Sequence, residues 1–451
     1  MTRRSPLSGA WIQNSLIFVL VFFLLVWINA HLLDSGDGAL VGDLAADMLL
    51  GNALSRNEGL LVGHYSRWQF NHPGPFWFYL NYGFEWLLAG LNLTRFQVWV
   101  IGSVVTNSVL ITAGSMAFSR FLFSRPNGKF ALLFAALWIG FCGAEITLLW
   151  MPWRIVVPYF CFLVAVLHLS EGRVRAFFPA SFLAGVLIHG YVTMPIFTLP
   201  FLLWGIWMGQ QKSRFLFNRA YLGWLVMGGL TLLLFALPIV MEAMGPTPSN
   251  VSRIFQAQSL LRQMQRPNGE ELLTFGLDLL RLEQNAGGWT ASVTFLILIP
   301  CWIGCASEQR RRTVKALMLA GVVTLGVFGY YARTPSPLYP FVAQFFVIIP
   351  VMALGTWGSI AFSVRNQEWG SKRQSWGRSM MRLAPLMLVS GLLILGVQRP
   401  LQMGSSPSLL GMADTLSSTQ TQQPVALNDL REEGWPFLTG LLLELERRGV
   451  R

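Results

Sequence analysis

The stretch from Asp34 to Glu85 gathers Asp34, Asp37, Asp43, Asp47, Glu58, His64, Arg67, His72 and Glu85, a density of ionisable groups matched nowhere else in the 451 residues. In "GDLAADM" the carboxylates Asp43 and Asp47 stand four apart, so a helix carries both on one face. A carboxylate partly shielded from water has a raised pKa and serves as general base towards a hydroxyl. Asp43 reads equally as the N-cap of a helix starting at Leu44, and the two roles are compatible. "GHYSRWQFNHPGPFWFYL" adds His64, Tyr65, Arg67 and His72. Arg and His near a bilayer surface suit a phosphate or diphosphate, Arg as a bidentate donor. Taken singly, Arg67 reads as well as a snorkelling interface residue, and each His as a satisfied hydrogen-bonding group. Arg154 in "WMPWRIVVPY", His189 and Tyr191 in "LIHGYVTMP", and Arg333 in "YYARTPSPLYPF" fall near the ends of apolar runs. Ionisable residues at such depth mark functional positions.

These residues need a frame. The chain is 53% hydrophobic and 12% charged, with a mean hydropathy of +0.51; a soluble domain carries about 25% charged residues. Apolar runs long enough to cross a bilayer number about eleven: 15–33, 96–118, 130–149, 155–170, 177–189, 192–208, 220–242, 289–306, 316–332, 340–363 and 382–398. The fifth and sixth share one long run, divided at His189-Gly190. With every run a span, the short loops holding Arg3-Arg4, Arg120/Arg125/Lys129, Arg173/Arg175, Lys212/Arg214/Arg219 and Arg310-Arg311-Arg312/Lys315 fall on one side. The positive-inside rule then puts the N-terminus in the cytoplasm and the acid-rich loop outside. The net charge of +12 thus belongs to topology. No basic segment is interleaved with exposed aromatics as single-strand nucleic-acid binders require. The first run is longer than a signal-peptide core and reads as a retained span.

The outer face carries three segments: 34–95, 243–288 and the tail 399–451, set on a transmembrane domain of 1–398. The second holds two helical patterns, one through Ile254, Leu260, Leu261 and Met264 and one after Pro267-Asn268-Gly269, suited to helices lying on the membrane. The tail closes with "GWPFLTGLLLELERRGV", a short helix. In "NHPGPFWFYL" Gly74 supplies a turn and Pro75 occupies the first helical position of an aromatic, interfacial helix. Cys142, Cys161, Cys301 and Cys305 lie in spans and imply no disulfide framework. Walker A, HExxH, GxSxG and CxxC signatures are absent. A zinc hydrolase of His31, His64, His72 and Asp43 finds no pair at helical ligand spacing.

An Asp soon after the first span, then an H-P-G-P step and an aromatic helix, resembles the opening of the GT-C superfamily of membrane glycosyltransferases. That superfamily includes protein mannosyltransferase-like and aminoarabinose-transferase-like enzymes. "GDLAADM", "GHYSRWQFNHPGPFWFYL", "MPWRIVVPY" and "IHGYV" are more closely similar to a bacterial subgroup with the same elements. The likeness covers residues 15–200, and the rest by topology. It implies an all-α polytopic membrane protein, a GT-C-like bundle of about eleven transmembrane helices with amphipathic helices in the first and a later outer loop. It also implies an inverting transfer of sugar from a polyprenyl-phosphate donor to a glycan, lipid or protein acceptor. The reaction would lie on the periplasmic side of a bacterial cytoplasmic membrane. Asp43 matches the catalytic acid; Asp47, His64, Tyr65, Arg67, His72, Arg154, His189, Tyr191 and Arg333 are the substrate-binding set. Leu44 stands where related enzymes carry the second acid of an Asp-Glu pair, and Pro158-Tyr159 where they carry another acid. The donor sugar is therefore open. The resemblance implies no certain cofactor, although carboxylates beside a diphosphate can recruit Mg²⁺ or Mn²⁺. The other readings are a transporter or flippase of lipid-linked sugars and a non-catalytic component of a glycan-assembly complex.

Overall fold

Four helices among the described residues are long and apolar enough to cross a membrane: Arg95–Phe123, Met151–Ser170, Arg219–Ala243 and Arg311–Tyr331. The computed structural model describes residues 6–34, 40, 42–66, 68–245, 247–281, 307–335, 338, 340–366 and 435–447. In chain order the elements are α1 (Pro6–Ile28), α2 (Ala30–Asp34), α3 (Gly42–Ser55), β1 (Val62–Ser66), β2 (Phe70–Pro73), α4 (Phe76–Leu87), α5 (Arg95–Phe123) and α6 (Gly128–Cys142). There follow α7 (Met151–Arg154), α8 (Val156–Ser170), α9 (Phe177–Gly190), α10 (Met194–Ser213) and α11 (Leu222–Ala243). The last are α12 (Asn250–Gln263), α13 (Gly269–Arg281), α14 (Ser307–Tyr331), α15 (Ile348–Asn366) and α16 (Trp435–Arg447). The chain is an all-α polytopic membrane protein, with one small hairpin. The runs expected at 289–306 and 382–398 lie outside the described residues.

The centre of the bundle is α8, every residue of which is buried; it packs against α5, α9 and α10. At the other extreme, α11 leaves Leu230, Leu233, Leu234 and Leu237 exposed, as a helix facing lipid must. Ends are fixed by capping: Thr94 and Gln97 form a reciprocal capping box at α5, and the Asn127 side chain accepts from Phe130 N at α6. The apolar run expected to divide at His189-Gly190 does so, with α9 ending at Gly190 and α10 resuming at Met194.

The basic loops meet at one end of the bundle. Glu171, after α8, takes Lys315 of α14 at 2.6 Å and Lys212 of α10, while Arg312 of α14 donates to Phe121 O at 3.1 Å. The acid-rich loop lies at the opposite end. There the structure adds what the sequence reading did not foresee, because Val62–Ser66 and Phe70–Pro73 form an antiparallel hairpin within the outer loop. Tyr65 pairs with Asn71 and Ser66 with Phe70, and the register is irregular between Val62 and Tyr65. The strands are too short, and too mixed in polarity, to print a clear two-residue period. Pro75 is the N-cap of α4 rather than its first helical residue, with φ −97° and ψ 11°.

The second outer segment docks on this hairpin. Asn71 N donates to Asn250 Oδ1 (2.6 Å) and Asn250 Nδ2 returns to Asn71 O (2.7 Å), so one side chain takes both backbone groups of a strand residue. The C-terminal helix α16 lies along α3. Thr439 Oγ1 donates to Gly42 O at 3.1 Å, and Glu446 takes Asn52 Nδ2 at 2.7 Å and Arg56 Nη1 at 2.6 Å.

Candidate active site

Helix α3 begins at Gly42, whose φ of +63° suits glycine. Asp43 is therefore inside the first turn and not the N-cap of a helix starting at Leu44. A carboxylate there is favoured by the helix dipole. Its side chain is exposed, and it accepts a hydrogen bond from Trp150 Nε1 at 2.9 Å. One turn on, Asp47 is 5% exposed. The shared face that the spacing requires thus runs from solvent into the protein.

Asp47 Oδ2 lies 2.6 Å from His64 Nδ1 on β1. Burial raises the Asp47 carboxyl above its ordinary value, against the opposing pull of His64 and, more weakly, Arg154; Asp43 adds to the rise. The His64 ring lies over Phe78 of α4, 4.8 Å between centroids, and its Nε2 is buried without a hydrogen-bond partner among the described residues.

Arg154, closing α7, is 3% exposed. It donates from Nη2 to Asn81 Oδ1 (2.8 Å) and sits with Cζ 4.8 Å from the centre of the Trp77 ring. Its Nη1 is buried and has no partner among the described residues. Asn81 and Trp77 hold the planar fork from α4 and leave part of its donor capacity unused. Neither was singled out in the sequence. The available signal was a lone amide within the aromatic run "FWFYLNYGF".

His72 lies on β2 and His189 in the last turn of α9. His72 stacks on Tyr191 at 4.6 Å, and its Nδ1 accepts from Val192 N at 3.2 Å. Burial, with the neighbouring His64, pushes its pKa down to about 3, so the ring is neutral. His189 lies 2.6 Å from Phe235 O through Nε2. Its ring packs so closely over Gly74, which has φ +74°, that a Cβ there would stand 2.4 Å from ring atoms. The turn of "HPGP" is thus clamped onto the end of α9. Tyr65 is half-buried on β1. Arg333 is exposed beyond α14, its backbone N–H donating to Tyr330 O; Arg67 lies outside the described residues. Asp43, Asp47, His64 and Arg154 therefore form one cluster, and His72, His189 and Tyr191 brace the hairpin beside it. Among the described residues no group of three or more His, Cys, Asp or Glu is placed to hold a metal ion such as Mg²⁺ or Mn²⁺.

In overall shape the chain is similar to ArnT. Two structures of ArnT from Cupriavidus metallidurans match it. The form bound to undecaprenyl phosphate has 13% identity and a TM-score of 0.48 over 98% of this chain and 76% of that one. The apo form has 13% identity and a TM-score of 0.45 over 99% and 76%. No protein-family model and no curated protein sequence matches the chain. Chemically, the cluster offers a solvent-facing carboxylate, a buried acid–histidine pair behind it and a guanidinium with an unused donor. That set suits removal of a proton from a hydroxyl next to a bound anion.

Proposed function

We propose that the chain is a GT-C-type membrane glycosyltransferase. It moves a sugar from a polyprenyl-phosphate-linked donor to an acceptor on the outer, periplasmic face of a bacterial cytoplasmic membrane, with the N-terminus in the cytoplasm. The observation that carries this reading is the split between the two carboxylates of α3. Asp43 is open to an incoming acceptor, while Asp47, one turn below, is held by His64 within range of Arg154. In the transfer, Asp43 takes the proton of the acceptor hydroxyl as its oxygen attacks the anomeric carbon. The bond from that carbon to the phosphate oxygen breaks, and polyprenyl phosphate leaves with the electron pair. Attack opposite the leaving group inverts the anomeric centre. Arg154 faces the charge that grows on the leaving phosphate, where preorganised donors act most strongly.

A transport role has less support. A buried polar line runs along α5 through Ser103, Asn107, Ser108, Thr112, Ser115 and Ser119, but it is uncharged. It is also tightly packed at Gly114, where a Cβ would come within 2.8 Å of Cys161 Sγ and of the Phe160 ring. The deciding experiment supplies polyprenyl-phosphate-linked sugars, extracted from host membranes, to the reconstituted full chain and follows the pool by mass spectrometry. The wild type should release free polyprenyl phosphate and form a glycosidic product. Asp43→Asn should do neither while retaining the wild-type unfolding temperature. Movement of the lipid across the bilayer without product would favour the transporter, and full function in Asp43→Asn the non-catalytic component.

A further inference from the structure

The basic end of the bundle carries more charge than its position requires. Six cations, Arg120, Arg173, Lys212, Arg311, Arg312 and Lys315, come from four separate elements, and the acids that meet them among the described residues are Glu171 and Glu308. Glu171 is already shared by Lys212, Lys315 and, at 3.7 Å, Arg311. Arg312, only 7% exposed, pairs with Glu308 and also donates to Ser124 Oγ at 2.6 Å, yet its buried Nε has no partner among the described residues.

Arg173 is the least compensated. Its Nη1 is 2.7 Å from His168 Nδ1, and His168 Nε2 is 2.8 Å from Ala117 O. The carbonyl requires the proton on Nε2, which leaves Nδ1 as an acceptor and the ring uncharged. Arg173 therefore has a hydrogen bond there but no charge from the ring, and Glu171 and Glu308 attract it without a direct ion pair among the described residues. Burial, and then repulsion from Arg312 and Arg120, holds its guanidinium below the ordinary value, against the weaker pull of Glu171 and Glu308. Like charges brought together near a low-dielectric slab are costly unless an anion joins them. Beside this cluster, the length of α10 that leads to Lys212 exposes Leu203 and Trp207, and Lys315 lies 5.8 Å from the Trp204 ring.

We propose that this end of the bundle binds the headgroup of an anionic phospholipid, its phosphate among Arg120, Arg173 and Arg312 and its acyl chains along α10. Basic pockets between transmembrane helices recognise acidic lipids in this way. Guanidiniums suit a phosphate better than ammonium groups do, because they donate in pairs. The site lies at the far end of the bundle from Asp43 and does not rest on the glycosyltransferase reading.

The test places the full-length chain in nanodiscs of equal phosphatidylcholine and phosphatidylglycerol and counts retained lipids by native mass spectrometry. Phosphatidylglycerol should be retained in preference, and Arg173→Gln should cut that preference roughly fivefold, the factor expected for one basic residue at an anionic surface. Arg120 is exposed, so Arg120→Gln provides a second variant that folds even if Arg173→Gln does not, and it should act in the same direction. Equal retention of the two lipids overturns the proposal, as does an unchanged preference in Arg120→Gln. Inorganic phosphate added to pure phosphatidylcholine discs distinguishes the sources. A rise in unfolding temperature equal to that given by phosphatidylglycerol would assign the site to free phosphate and overturn the lipid.

Discussion

His64 Nδ1 stands 2.6 Å from Asp47 Oδ2, and the two side chains are 5% and 7% exposed. The pair joins β1 to α3, so the hairpin and the helix that bears Asp43 are held as one unit. A buried pair of this kind is worth little against an apolar replacement but much against loss of one member.

Asp47→Ala and His64→Ala should each destabilise the outer loop by ~3–5 kcal/mol, because each leaves a buried polar partner unmatched. The double variant should lose less than the sum. Thermal unfolding of the four proteins in one detergent measures this; additive losses would show that the two residues act independently.

Gly74→Ala should abolish ordered packing of the hairpin. Its φ of +74° and the His189 ring 2.4 Å from the added carbon both oppose the substitution, and the cost should exceed ~1 kcal/mol. Gly83 on α4 has nothing within 4 Å of such a carbon, so Gly83→Ala should stabilise by roughly 0.5–1 kcal/mol. Opposite signs in unfolding temperature are the expected result.

His72 gives a pH dependence. Its folded pKa of about 3 lies below the ordinary 6.5. Between these values the unfolded chain takes up a proton that the folded chain does not, so the residue's contribution falls as pH drops from 6.5 towards 3. Asp47, raised above 3.8, works the other way, since the unfolded carboxyl ionises first and stability falls as pH rises above 3.8. The comparison of wild type with His72→Gln isolates the histidine. Relative to that variant the wild type should lose unfolding temperature on acidification below 6.5, and parallel curves would mean that His72 is not held neutral.

Asn250→Ala removes both bonds to the Asn71 backbone. The main-chain amide of Asn71 should then exchange hydrogen faster, by roughly the tenfold that ~1–2 kcal/mol of lost bonding represents. Amides at the centre of α8 should not change. Hydrogen-exchange mass spectrometry resolves the two regions.

Several features of the candidate site are legible in the sequence. The i, i+4 spacing put Asp43 and Asp47 on one face, and the basic loops fell on one side. The His189-Gly190 break was visible as an interruption in an apolar run. What spacing could not say was that the face descends from water into the interior, because burial depends on what covers Asp47, and that cover is His64 from another element. The hairpin escaped notice because its strands are five and four residues long and the second ends in a proline. The Asn71–Asn250 bond spans 179 positions, and no local pattern encodes a partner at that distance. The apolar stripe of residues 435–447 announced a helix, but its seat on α3 depends on Glu446 meeting Asn52 and Arg56.

The seat of α16 on α3 sets an order of events during synthesis. The acids at positions 43 and 47 are made long before residues 439 and 446, yet the helix that carries them gains these anchors only when Thr439 and Glu446 reach the same face. A ribosome that stopped at residue 430 would leave behind an inserted bundle with its outer loop unfinished. The candidate site thus waits, half built, on a helix made 397 positions later.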